Sequence, residues 1–200
     1  MTVKSRREEY AEVTRAAIVS AAVARFAADG FTRASIDAIA ETARVTKGGV
    51  YHHFAGKAEL FEAAFIQMEE RLVARIEERV AGIADPWEVI TAGVQSFLTE
   101  CCKEDFRRIA LEDAPAALGW ARWKEIEDRY FLGMVKATLD ALVASGYIDV
   151  PPGDLTARML LGALWEAGLA VATAGDPGAE RDRAGELVTR ILHGLAAGAG

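Results

Sequence analysis

Apolar residues recur along this chain at intervals of three and four, the spacing that gathers them on one side of an α-helix. The strict alternation of a half-buried strand hardly occurs. Val13, Ala17, Ile18, Ala21, Ala22 and Phe26 make one such side, and they predict a first helix over residues 8–28, stopped by Asp-Gly-Phe at 29–31. A short helix over 35–42 follows, with Ser35 suited to cap it and Asp37 near its positive end. A third, over 46–53, starts at Thr46. Phe61, Phe65, Met68, Leu72, Ile76 and Val80 then mark an unbroken helix over 57–81, about 37 Å long at about 1.5 Å per residue. Further helices are expected over 87–103, 105–113, 121–144, 154–174 and 179–197, with a loop or broken helix at 113–120. The fold class that follows is all-α, and Gly and Pro punctuate the joints.

Composition narrows this picture. The chain has 200 residues, 52% of them hydrophobic, which is enough for a sizeable core. Its net charge is −7, but the charge is uneven: residues 1–57 sum to +3 and the remainder to −10. A mildly basic head on an acidic body suggests that only the head meets a polyanion. Cys101 and Cys102 are the two cysteines, adjacent in sequence. They build no disulfide framework and point to a reducing, cytoplasmic setting. The N-terminus leads into no apolar signal segment, and the apolar run 159–174, with Glu166 at its middle, is expected to be a buried helix rather than a membrane span.

The second and third helices are short and joined by about three residues, the layout of a helix-turn-helix whose second helix enters the major groove of DNA. Ile39, Ala43, Val45 and Val50 are apolar where these helices face each other and the first helix, and Ala40 is small where they cross. Apolar spacing alone equally fits two short helices of an all-helical domain with no DNA role. The polar residues favour DNA. Thr46, Lys47, Tyr51 and His52 fall on the early turns of the third helix, where hydroxyls, a lysine and an imidazole suit phosphates and base edges. Tyr51 has the alternative of packing its ring on the first helix. Gly48 and Gly49 each cost a helix about 1 kcal/mol relative to alanine, and they make sense if the backbone must come close to a duplex.

Residues 26–65, "FAADGFTRASIDAIAETARVTKGGVYHHFAGKAELFEAAF", resemble the DNA-binding signature of the TetR family of bacterial transcription regulators. The resemblance implies base and phosphate contacts from Thr46, Lys47, Gly48, Tyr51 and His52, and phosphate contacts from Ser35 and Lys57. Helix N-termini at Ser35 and Lys57 favour an anion on independent grounds. Position 44, usually glycine in that family, is Arg44 here. A left-handed turn would cost Arg44 about 1 kcal/mol, which a phosphate contact would offset. The expected division is a DNA-binding domain over 1–56 and an effector-binding and dimerisation domain over 57–200.

In the body, the last helix carries Leu187, Val188, Ile191, Leu192 and Leu195 on one face, and the helix before it is apolar nearly all round, with Leu161 and Leu164. Gly162, Ala163, Ala167 and Gly168 there permit close helix contact. Two such helices at the end of a chain suggest the interface of a homodimer, and the resemblance implies the same. A twofold dimer would set its reading heads on an inverted-repeat operator in double-stranded DNA. The resemblance also implies a small-molecule effector, largely apolar, that releases a repressor. Its expected pocket is lined by Phe97, Cys101, Trp120, Trp123, Tyr130, Met134, Trp165 and Glu166. Glu166 on so apolar a helix calls for a partner, which could be a ligand, an arginine of a second subunit, or water at an edge.

The alternatives are an all-helical protein-interaction module and a helical enzyme. No G-x-S-x-G, H-E-x-x-H or P-loop pattern supports an enzyme. No cofactor, metal or membrane partner is expected.

Overall fold

Local capping explains where the first helices begin. The computed structural model describes residues 5–151 and 153–195, and every regular element among them is helical. Helix α1 (Arg6–Arg33) opens at a capping box: the Ser5 hydroxyl accepts from the Glu8 amide, and the Glu8 carboxylate accepts from the Ser5 amide. Gly30, at φ 75°, kinks α1 at the predicted stop, and one more turn runs on to Arg33. Helix α2 (Ile36–Ala43) is capped by Ser35, whose Oγ accepts from the Ala38 amide at 3.1 Å. Helix α3 (Lys47–His53) is capped by Thr46, whose Oγ1 accepts from the Gly49 amide at 3.0 Å. Arg44 does take the left-handed conformation, at φ 56° and ψ 39°. The Val45 amide then reaches back to the Ala40 carbonyl at 3.0 Å, a Schellman-type close that orients α3.

Helix α4 (Lys57–Val80) runs unbroken from the head into the body. Phe61 on its second turn packs edge-on against both Phe26 and Phe31, with ring centroids 5.0 Å from each. The apolar core is therefore continuous from α1 through α4 into the helices beyond.

The body is built from α5 (Pro86–Cys101), then a nearly continuous helical path of changing pitch. That path begins with α6 (Glu104–Phe106), a wider π-helical segment (Arg107–Asp113) and α7 (Ala114–Leu118). Residues 113–120 are thus mostly helical, and the break falls at Gly119, φ 77°. Helix α8 (Trp120–Glu127), a second π-helical segment (Asp128–Leu132) and α9 (Gly133–Ala144) follow without interruption. Helices α10 (Asp154–Thr173) and α11 (Pro177–Gly194) complete the body. The predicted end of the last helix, at 197, lies outside the described residues.

Helix α10 departs from the expected buried helix. It is 20 residues long with a mean hydropathy of 1.3, long and apolar enough to cross a membrane by those measures, yet only 28% of that stretch is buried. Ala157, Leu160, Gly168 and Val171 face the core, while Leu155, Met159, Gly162 and Glu166 are exposed. Gly168 lets α10 lie close on α5, because a Cβ there would stand 2.8 Å from Phe97 Cζ and 3.0 Å from Cys101 Sγ.

Candidate DNA-binding head and effector cavity

Helix α3 sits on the head with Val50 wholly buried and Phe54 nearly so. Those anchors turn the other side of the helix outward. Thr46, Lys47, Gly48, Tyr51 and His52 are all exposed, as are Ser35 and Arg44. Tyr51 is 50% exposed, so its ring does not pack into α1. Packing within the protein crowds neither glycine. A Cβ on Gly48 would meet only Thr46 Oγ1, at 3.8 Å, and one on Gly49 would make ordinary contacts with Thr46 and Val45. Nothing inside the protein requires glycine at 48.

Several polar groups of the head are engaged within it. Lys47 Nζ donates to Asp37 Oδ2 at 2.9 Å across the α2–α3 gap, with both side chains more than half exposed. That hydrogen bond, and the carboxylate's charge, raise the lysine pKa above its ordinary value. Lys57 Nζ donates to the backbone carbonyls of Thr32, at 3.1 Å, and Ala34, at 3.2 Å, and lies 4.8 Å over the Phe31 ring. Lys57 therefore ties the end of α1 to the start of α4, a role that its place at a helix N-terminus did not suggest. His53 lies half-buried with its ring 5.3 Å from that of His52.

The body encloses a cavity of about 130 Å³ between α4, α5, both π-helical segments, α9, α10 and α11. Of the eight residues expected to line it, Phe97, Met134 and Trp165 do. The other five do not. Trp120 is 66% exposed, because Gly119 starts a new helix and turns it outward. Trp123 is buried outside the cavity lining, its ring tilted against that of Trp165 with centroids 4.5 Å apart. Cys101 is fully buried against Gly168, and desolvation pushes its thiol pKa up, so it stays neutral. Tyr130 donates its hydroxyl to Glu70 at 3.2 Å. The π turn at 128–132 holds an extra residue, so Phe131 takes the inward place. Glu166 is exposed on the outer side of α10.

The lining holds two acids that the sequence reading missed, Glu69 and Glu127. Glu69 is 1% exposed, and neither of its carboxyl oxygens has a hydrogen-bond partner among the described residues. Desolvation, then the nearby Glu127, pushes its pKa well above the carboxylate range. Desolvation lifts Glu127 to about 7, against the pull of Lys124 and with a further push from Asp128. A signal for Glu69 existed, since it falls within the apolar stripe of α4, four residues after Phe65 and three before Leu72.

The cavity and the head are joined by the first π-helical segment as well as by α4. Phe106, Ala110 and Leu111 line the cavity. One turn on, Asp113 Oδ2 accepts from the Phe31 amide at 2.7 Å, and the Arg108 side chain fills the space beside Gly30.

The residues expected at the dimer face fall in different surroundings. Val188 and Leu192 are buried inside the protomer, Leu161 and Leu164 line the cavity, and Leu195 is half-buried. Leu187 and Ile191 alone of that set are exposed, at 57% and 44%. Leu155 and Met159 of α10 are also exposed, at 71% and 67%.

Comparison with known proteins agrees with this architecture. Residues 18–64 match the family described as "Bacterial regulatory proteins, tetR family", and residues 87–195 match "Tetracyclin repressor-like, C-terminal domain". The transposon Tn10 TetC protein of Escherichia coli is 25% identical over 162 residues, 81% of this chain and 82% of that protein. The HTH-type transcriptional regulator UidR of Escherichia coli K12 is 40% identical over 73 residues, about a third of each chain. The crystal structure of a TetR-family transcriptional regulator from Pectobacterium atrosepticum superposes with a TM-score of 0.83 at 26% identity, covering 98% of this chain and 99% of that one.

Proposed function

This chain belongs to the TetR family of bacterial regulatory proteins, and from that membership we propose how its parts divide the work. It is a ligand-responsive, DNA-binding transcriptional regulator and not an enzyme. Members of the family bind DNA operators as dimers and respond to small molecules. Our reading is that this one is a cytoplasmic repressor that binds a palindromic operator and leaves it when an effector fills the cavity. Residues 1–56 act as the head and 57–200 as the sensor and dimer body, with α4 common to both.

The observation that carries the reading is the outward side of α3, where polar side chains surround a glycine that the protein's own packing does not need. Thr46, Lys47, Tyr51 and His52 read base edges and phosphates, and Gly48 lets the helix approach the bases. Ser35, Arg44 and Lys57 position the head on phosphates. Lys57 keeps one of its three protons free while two are held by carbonyls. A second copy covers Leu155, Met159, Leu187 and Ile191, which sets two α3 helices about 34–36 Å apart for successive major grooves. Polar Asp154, Arg158 and Glu166 interrupt the outer side of α10 and argue for a protein partner over lipid.

An effector can act only by favouring one of two shapes. Filling the cavity displaces Phe106 and the π-helical segment at Ala110 and Leu111, and the shift passes to α1 through the Asp113–Phe31 hydrogen bond and to the head through α4.

Selection of bound sites from random DNA with purified protein tests the whole. The expected result is an inverted-repeat site whose affinity falls steeply with salt. Lys57→Ala should weaken all sequences alike, whereas Thr46 or Lys47 variants should change the preferred sequence. Recovery of no preferred site would overturn the reading.

A further inference from the structure

Most buried or partly buried acids of the body are met by a cation. Arg75 and Lys103 hold Glu100, Arg122 holds Glu62, and Lys124 and Arg158 hold Asp128. Glu69 breaks this pattern. Both its oxygens are buried in the cavity lining with no partner among the described residues, and Glu127 shares that lining.

An unpaired carboxyl in an apolar site costs free energy until something donates to it. No neighbouring element does so among the described residues. On α4 itself, Arg75 is engaged by Glu100, Arg71 lies against the Met68 sulfur, and Glu70 receives Tyr130. From α8, Lys124 is held by Asp128, and from α10 Arg158 is held by the same carboxylate. From α5, Cys101 offers only a buried neutral thiol.

We propose that the cavity selects a small apolar cation, an ammonium-bearing molecule whose body rests among Phe97, Phe131 and Trp165 and whose charge meets Glu69 and Glu127. The proposal rests on the reading of this cavity as the effector site. A volume of about 130 Å³ is close to the roughly 150 Å³ cavity that holds benzene in another protein, so a body of one ring fits. Aromatic walls add attraction for a cation. A neutral molecule of the same shape leaves the carboxyls without a charge partner, and an anion supplies no positive charge to meet them. Entry of the cation breaks one carboxylic O–H bond. Its proton passes to solvent, and the carboxylate left behind faces the ammonium. Affinity therefore rises with pH until that carboxyl is ionised in the empty protein.

The test is titration calorimetry on the full-length protein with benzylamine, benzyltrimethylammonium, benzyl alcohol and benzoate, below and above neutral pH. Glu69→Gln and Glu127→Gln are titrated alongside, with circular dichroism to confirm their fold, and operator release is measured on the same samples. Both cations should bind at least about tenfold more tightly than benzyl alcohol or benzoate, with proton release, and each variant should lose about tenfold or more. The proposal is overturned if neither cation binds, if the neutral or anionic ring binds as well, or if folded variants bind unchanged. Cations that bind through these two residues without releasing operator support the cation site and sink only the effector reading. Operator release by benzoate alone keeps the effector reading and overturns the cation site.

Discussion

The head and the cavity treat polar groups in opposite ways. On the head, several contact candidates already have a partner before DNA arrives: the Thr46 hydroxyl caps α3, Lys47 pairs with Asp37, and Lys57 holds two carbonyls. These partners are mostly exposed, and an exposed pair is worth only about 0–1 kcal/mol. The head can exchange them for phosphates and bases at little cost. In the cavity, Glu69 has no hydrogen-bond partner to exchange among the described residues. One donor from a ligand would satisfy an acid that the folded protein carries at a loss, so a few contacts suffice for selectivity. Two glycines repeat the contrast. A Cβ on Gly48 would meet only Thr46 Oγ1, at an ordinary 3.8 Å, and the helix face it leaves bare is exposed. Gly168 is filled from within by Phe97 and Cys101.

The largest expected effect tests whether these regions share one core. Phe61→Ala, which empties the space between Phe26 and Phe31, should cost about 3–5 kcal/mol in denaturant unfolding and loosen head and body in a single transition. Two separated transitions would show that the regions fold independently. Next, Glu69→Leu should raise stability by about 1–3 kcal/mol, because it removes an unsatisfied buried acid. A loss of stability would mean that Glu69 has a partner in solution.

The pH profile of stability gives a related measure. Glu127 is raised from 4.5 to about 7 in the folded state. Between those values the folded protein keeps a proton that the unfolded chain has lost, so stability is fully present below 4.5 and declines as pH rises through about 7. The slope should approach about 1.4 kcal/mol per pH unit in thermal melts and flatten in Glu127→Gln.

Gly48→Ala should stabilise the protein by about 1 kcal/mol yet weaken operator binding, as read by anisotropy. Tighter binding with the extra methyl would remove the argument for close approach. The smallest effect is expected from Asp37→Asn. It should change stability by less than about 1 kcal/mol while freeing Lys47, so that operator affinity rises modestly.

Much of the head could be read directly. Ser35 and Thr46 cap their helices as their hydroxyls predict, and Val50 and Phe54 anchor α3 while Tyr51 and His52 point away. Arg44 shows the limit of a rule based on residue type, since it takes a left-handed turn usually given to glycine. In the body, helical spacing through 123, 127, 130 and 134 places Tyr130 inside. The π segment shifts the register, and Phe131 lines the cavity instead. The apolar side of α11 likewise divides between the core at Val188 and Leu192 and the surface at Leu187 and Ile191, a division that its spacing does not reveal.

Helix boundaries, caps and the reading helix are set by residues within about one turn of each other, where propensity and side-chain hydrogen bonds act, and the order of residues suffices to determine them. The cavity is set by the relative rotation and approach of six or more elements. Two π turns, a break at Gly119 and the close seating at Gly168 fix those rotations. Only packing in three dimensions could bring Glu69 and Glu127 into one apolar space, because they lie on different helices far apart in sequence.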